Sequence, residues 1–151
     1  MKNLVKIMMI LSIILSLFGC NSNKYNLPKY DEKECFYSDG FQDYTDYCKF
    51  YYNFETIKQF ESDKRFVQVK DSDIIKLKSF LENFNENVIN QSYYSKYDFD
   101  YNTQIKEGDY FYLVTKDSDD SNNISYNTFD SYEIYYVDMK QNILYFFHSN
   151  T

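Results

Sequence analysis

Asp43, Tyr44, Asp46 and Tyr47 set two carboxylates and two phenols within five residues. Carboxylates accept hydrogen bonds from hydroxyl and ammonium groups, and aromatic faces stack on apolar ring surfaces, so this segment is the candidate surface for holding a sugar or a peptide. Solvated acids beside core aromatics would give the same pattern. Asp117, Asp119 and Asp120, followed by Ser121, Asn122 and Asn123, form the densest run of oxygen donors, and hard cations such as calcium take about six to eight oxygens. The twelve-residue calcium-loop spacing fails, however. Counted from Asp117, the sixth position is Asn122 rather than Gly and the twelfth is Thr128 rather than Glu. A solvated loop between two strands accounts for the run, so no metal is expected, with Asp117, Asp119 and Asp120 the one place to look. A single histidine, His148, and three cysteines give too few ligands for zinc or iron.

Paired carboxylates could still perform acid–base hydrolysis, because the chain has 23 Asp and Glu, but spacing alone singles out no pair. Glycine stands only at positions 19, 40 and 108, so no glycine-rich phosphate loop exists and nucleotide enzymes are excluded. No cofactor is expected. The formal charge is -7 over 151 residues, which repels nucleic-acid backbones. Chain length fits one domain, and 44% apolar residues suffice for a packed core. The 18 Tyr and 14 Phe accompany abundant Asn, Ile and Lys with no Ala or Trp, an excess that tracks AT-rich codons. Aromatic counts alone therefore do not establish an aromatic binding face.

The N-terminus specifies an address. Lys2 and Lys6 precede an apolar run from Ile7 to Phe18 that only Ser12 and Ser16 interrupt. Twelve helical residues rise about 18 Å, well short of a hydrocarbon core of about 30 Å, so the run suits a signal peptide rather than a permanent span. It ends in Leu17-Phe18-Gly19-Cys20 and is followed by the polar Asn21-Ser22-Asn23-Lys24. This segment resembles the lipobox of bacterial lipoproteins, with Phe18 departing from the small or β-branched residue favoured at that position. The resemblance covers the first 20 residues. It implies diacylglyceryl transfer to the Cys20 thiol, cleavage before it, and a membrane as partner through the lipid anchor. Residues 1–19 then form the signal peptide, 20–33 a lipidated N-terminus and flexible spacer, and 34–151 a single domain. Loss of Lys2 and Lys6 takes the net charge from -7 to -9, unsuited to lying flat on anionic lipid.

On the exported side of a membrane, the remaining even pair, Cys35 and Cys48, is expected to form a disulfide. A catalytic thiol is disfavoured because His148, the sole imidazole, lies a hundred residues away on an expected strand.

These residues must be positioned by alternating segments. Strands are expected over 34–37, 47–54, 65–70, 97–105, 109–116, 131–138 and 143–148, with a helix over 41–51 as the alternative to the second strand. Cys48, Phe50, Tyr52 and Phe54 would share one strand face. Ile74, Leu77, Leu81, Phe84 and Val88 recur at three and four, with Ile75, Phe80 and Ile89 widening the stripe, which specifies an amphipathic helix. Asp71 or Ser72 is expected to cap it. Strand 109–116 has apolar residues on both faces and is expected at the sheet centre, whereas His148 is expected near the end of an edge strand. The fold class is α+β: an antiparallel β-sheet packed against one main amphipathic helix. The closing pair 131–138 and 143–148 resembles the ends of small exported proteins of AT-rich bacteria, a likeness that implies no activity. The expected function is a non-enzymatic binding or accessory domain at the cell envelope, engaging an envelope or exported protein. The alternatives are a small hydrolase using two carboxylates and an immunity-like inhibitor of an exported toxin.

Overall fold

A computed structural model describes residues 25–38, 44–89, 105–115 and 131–150. Cys20 and the apolar segment before it, Asp43 and the 117–123 run lie outside them, as does the expected strand 97–105 apart from Ile105, which is in coil. The described elements are β1 (Glu32–Tyr37), β2 (Tyr44–Tyr51), a one-turn helix α1 (Phe54–Ile57) running into a 3₁₀ turn (Lys58–Glu61), β3 (Val67–Gln68), α2 (Asp71–Ile89), β4 (Tyr110–Thr115), β5 (Ser131–Asp138) and β6 (Ile143–Asn150). The strands make one antiparallel sheet in the order β1-β2-β6-β5-β4-β3. The architecture is therefore α+β, a sheet with one main helix.

Side-chain alternation divides the sheet into two faces. Tyr132, Ile134 and Tyr136 of β5, Tyr145 and Phe147 of β6, Tyr47 of β2, and Phe111 and Leu113 of β4 point to the helix side, where Leu77, Phe80, Leu81, Phe84 and Val88 of α2 cover them. Each large apolar side chain removed from water in this way contributes about 1.5–3 kcal/mol before conformational entropy is charged against it. Phe84 meets Phe147 with ring centroids 5.2 Å apart, and the Tyr132 hydroxyl donates to the Phe80 carbonyl at 2.9 Å, fixing the helix against the sheet. The stripe is narrower than its sequence suggests, because Ile75 is 78% exposed and Ile89 is exposed as well. The cap also differs. Lys70 immediately precedes the helix, and Asp73 reaches back to accept from its backbone N–H at 3.0 Å, so neither Asp71 nor Ser72 takes that place.

The other face is covered by shorter pieces. Cys48, Phe50, Leu144, Phe146, Tyr135 and Val137 meet Leu27 of the N-terminal strap, Ile57 and Phe60 of the α1–3₁₀ segment, and Phe66. β2 stops at Tyr51 because Asn53 caps α1, its side-chain oxygen accepting from the Glu55 and Thr56 N–H groups. Phe54, expected on the strand face, is thereby turned out, and the Lys58 ammonium lies 3.8 Å from its ring centroid. Residues 44–51 are strand, not helix.

Two placements within the sheet correct the sequence reading. β4 is covered on both faces, but its outer neighbour is the two-residue β3, so the centre of the sheet is β6 and β5. His148 therefore lies on an inner strand, paired on both sides. Between β3 and β4, Gly108 takes φ +91°, a conformation that side-chain-bearing residues rarely adopt, where its N–H reaches the Val69 carbonyl.

Candidate functional site

Cross-strand register builds the site. Tyr37 pairs with Asp46, Asp46 with His148, His148 with Glu133, and Glu133 with Val114. These residues form one row across five strands on the face opposite α2. The adjacent row on that face is Cys35, Cys48, Phe146, Tyr135 and Tyr112. The first row thus stands on a rigid apolar and disulfide-bonded base.

Within the row, His148 Nδ1 is 3.6 Å from Asp46 Oδ2, a contact that is electrostatic rather than a formed hydrogen bond. On its other side, Nε2 is 3.4 Å from the Tyr44 hydroxyl, and the two rings meet edge to face at 4.8 Å. If Nδ1 carries the proton toward Asp46, Nε2 is left to accept from Tyr44. The Tyr135 hydroxyl donates to Glu133 Oε2 at 2.7 Å, which holds that carboxylate in place. Burial raises the Tyr135 phenol well above its ordinary value, and the Glu133 charge raises it further, so it stays a donor at any ordinary pH. Tyr37 is 51% exposed, with its hydroxyl 3.8 Å from Cys48 Sγ. The hydroxyl is the donor there, since a disulfide sulfur carries no hydrogen.

Cys35 and Cys48 are direct register partners and form a disulfide, as their even count suggested. Of the four residues proposed for binding, Tyr44 and Asp46 converge on His148. Tyr47 does not: it is completely buried on the helix side, stacked between Phe36 and Phe147, because adjacent residues of a strand face opposite ways. Asp43 and the run of Asp117, Asp119 and Asp120 are outside the described residues, within which no group of three His, Cys, Asp or Glu is placed to hold a metal ion. Sequence reasoning set His148 aside as a residue near the end of an edge strand and did not single out Glu133, Tyr135 or Tyr37. Part of the signal was present: the four residues 139–142 joining β5 and β6 imply a hairpin register in which Glu133 stands opposite His148.

A second polar cluster lies at the far end of β5. Asp138, completely buried, accepts from the Lys140 and Gln141 N–H groups at 3.0 and 2.8 Å, from Gln141 Nε2 at 2.8 Å and from Lys106 Nζ at 3.1 Å. Burial works against its charge, but these hydrogen bonds outweigh it and hold the carboxyl below its ordinary value. Asp109 accepts from the Tyr136 hydroxyl at 2.5 Å and from the Met139 N–H at 3.0 Å, yet burial keeps its carboxyl above the ordinary value. Opposed shifts in neighbouring acids can mark catalytic pairs. Here the oxygens are occupied in fixing the β5–β6 turn and its link to β4, so the cluster is structural.

No family model, curated protein or solved structure matches the chain. Among the described residues, no helix is long and apolar enough to cross a membrane.

Proposed function

We propose that the chain is an exported binding domain, tethered to a bacterial membrane by lipid on Cys20, that receives a cationic group on the Tyr37–Asp46–His148–Glu133 row. The observation that supports it is the row itself. Two carboxylates, Asp46 largely buried and Glu133 partly so, flank an imidazole near the exposed Tyr37 and the half-buried Tyr44, and the five register-linked positions from Tyr37 to Val114 include no Lys or Arg. Such a surface attracts ammonium or guanidinium groups through charge and through the aromatic faces of Tyr37 and Tyr44. The lipobox resemblance and the Cys35–Cys48 bridge support export.

The tether is tested by mass and fractionation: Cys20→Ser should lose the acylated mass and leave the membrane fraction. Binding is tested with polylysine. The double variant Asp46→Asn/Glu133→Gln should lose salt-sensitive association while keeping its circular dichroism spectrum, and retained association would refute the site.

A second reading has one observation in its favour. Asp46 and Glu133 sit two strand spacings apart across His148, about 10 Å between their backbones, and inverting glycosidases use two carboxylates facing each other across about 6.5–9.5 Å. Release of reducing sugar from cell-wall glycan that disappears in either single variant would favour this hydrolase. An immunity-like inhibitor would instead bind a basic exported protein through the same row.

A further inference from the structure

The N-terminal strap shows which way the row faces. Residues 20–33 read as a flexible spacer, but the chain is packed from Tyr25 onward. The Tyr25 ring lies 4.7 Å from Phe146 and 5.4 Å from Phe50, the Asn26 carbonyl accepts from Arg65 at 2.9 Å, Leu27 is buried, and Tyr30 rests on Phe50 at 5.0 Å. The Asp31 N–H then bonds the Tyr51 carbonyl, and β1 returns along β2 to Tyr37 opposite Asp46. The strap therefore runs antiparallel to β1. Its first described residue, Tyr25, packs on Phe146, which stands one position in from His148 on the same face of β6, so the strap begins beside the row.

This has a geometric consequence for a chain anchored at Cys20. If the ordered domain began at β1, twelve residues spanning up to about 41 Å would separate it from the lipid, whereas five residues to Tyr25 span at most about 17 Å. The tether is short, and the first described residue after it, Tyr25, lies on Phe146 beside the row. We propose that the Tyr37–Asp46–His148–Glu133 row is the membrane-facing end of the domain and takes the ammonium groups of the lipid headgroup layer. Tyrosine suits that layer, where a ring can lie among acyl and headgroup atoms while its hydroxyl stays wet. Carboxylates on a chain whose net charge is -9 without residues 1–19 are repelled by anionic headgroups, so the surface selects a primary ammonium, as in phosphatidylethanolamine, over phosphatidylglycerol. The inference rests on the tethered reading above.

The chain has no tryptophan, so one substitution supplies a unique fluorophore. Tyr37→Trp places it in the row, and Ile75→Trp places it on the exposed back of α2. The lipidated proteins are reconstituted into phosphatidylethanolamine-rich vesicles containing a headgroup nitroxide, a quencher effective only at short range. The 37 reporter should lose at least half its emission and the 75 reporter little. Quenching at 37 should fall severalfold in phosphatidylglycerol vesicles, after insertion of a twelve-residue Gly/Ser linker before Tyr25, or in the Asp46→Asn/Glu133→Gln background. Equal quenching of both reporters, or no preference between the two lipids, overturns the proposal. If polylysine shields the 37 reporter while vesicles do not, the row takes its cation from a protein, and again the membrane proposal fails with the binding reading intact. Absence of acylated mass in the starting protein identifies failure of the tether itself.

Discussion

Reducing the Cys35–Cys48 bridge should cost the domain about 3 kcal/mol. The two cysteines are direct partners in the β1–β2 ladder and 13 residues apart in sequence. The folded hairpin brings them together with or without the bond, so the bond acts mainly on the unfolded chain. Closing a loop of that length removes about 10 cal/mol/K of chain entropy, which is about 3 kcal/mol at 25 °C. For a domain of about 125 residues, unfolding entropy near 60 °C is about 0.26 kcal/mol/K, so the melting temperature should fall by about 11 °C. The assay compares oxidised protein with protein reduced by a phosphine, using circular dichroism, with the Cys35→Ala/Cys48→Ala variant as control. That variant should melt near the reduced protein and be indifferent to reductant. β1 is an edge strand whose only described strand neighbour is β2, so amide exchange on reduction should quicken there first. A shift below about 2 °C would show that the bridge does not restrict the unfolded chain as described, and two titratable thiols in the denatured, unreduced protein would show that there is no bridge.

The buried turn network makes two further predictions. Asp138→Ala removes the acceptor for the Lys140 and Gln141 N–H groups and the partner of Lys106. Lys106 is about half-exposed and can turn to water, so the cost comes mainly from the orphaned turn and should be about 2–3 kcal/mol by urea denaturation; an unchanged midpoint would contradict the assignment. Asp109, whose carboxyl burial holds above its ordinary value, binds more protons in the folded than in the unfolded state as pH rises through that interval. Its contribution to stability is greatest below the ordinary carboxylate value and is lost as pH climbs through the folded one. Asp109→Asn should therefore gain on the wild type across that window, measured as the difference in urea midpoints. Asp138, and Asp63, whose carboxylate the Arg65 guanidinium holds low through a 2.6 Å hydrogen bond, act with the opposite sign, and their stabilisation is lost as pH falls from the ordinary carboxylate value through their lower folded ones.

Period was the legible part of this fold. The α2 stripe, the β5 and β6 strands and the two-faced β4 all follow from spacing, because a helix and a strand sort their apolar residues with different repeats. Sheet order was not legible. Nothing local places β6 between β2 and β5, and that placement moves His148 from the edge to the middle of the row. The candidate site was half legible for the same reason. Tyr44 and Asp46 are sequence neighbours, but their partners His148 and Glu133 lie about ninety residues or more downstream and reach them through register. The parity of a strand assigns Tyr47 to the helix face, and a reading that took the segment 43–47 as a unit could not separate it from Asp46. The strap escaped notice because Asn26, Pro28 and Lys29 look like linker, while Tyr25, Leu27 and Tyr30 supply the contacts.

The single histidine makes the row directly observable. The imidazole proton resonances of His148, followed in the mature protein during titration with ethanolamine, report whether an ammonium enters between Asp46 and Glu133. A saturable shift is expected, one that equal concentrations of sodium chloride do not reproduce and that Asp46→Asn/Glu133→Gln abolishes. A His148 signal that responds to ethanolamine and to sodium chloride alike, or that moves as much in the double variant, would contradict it.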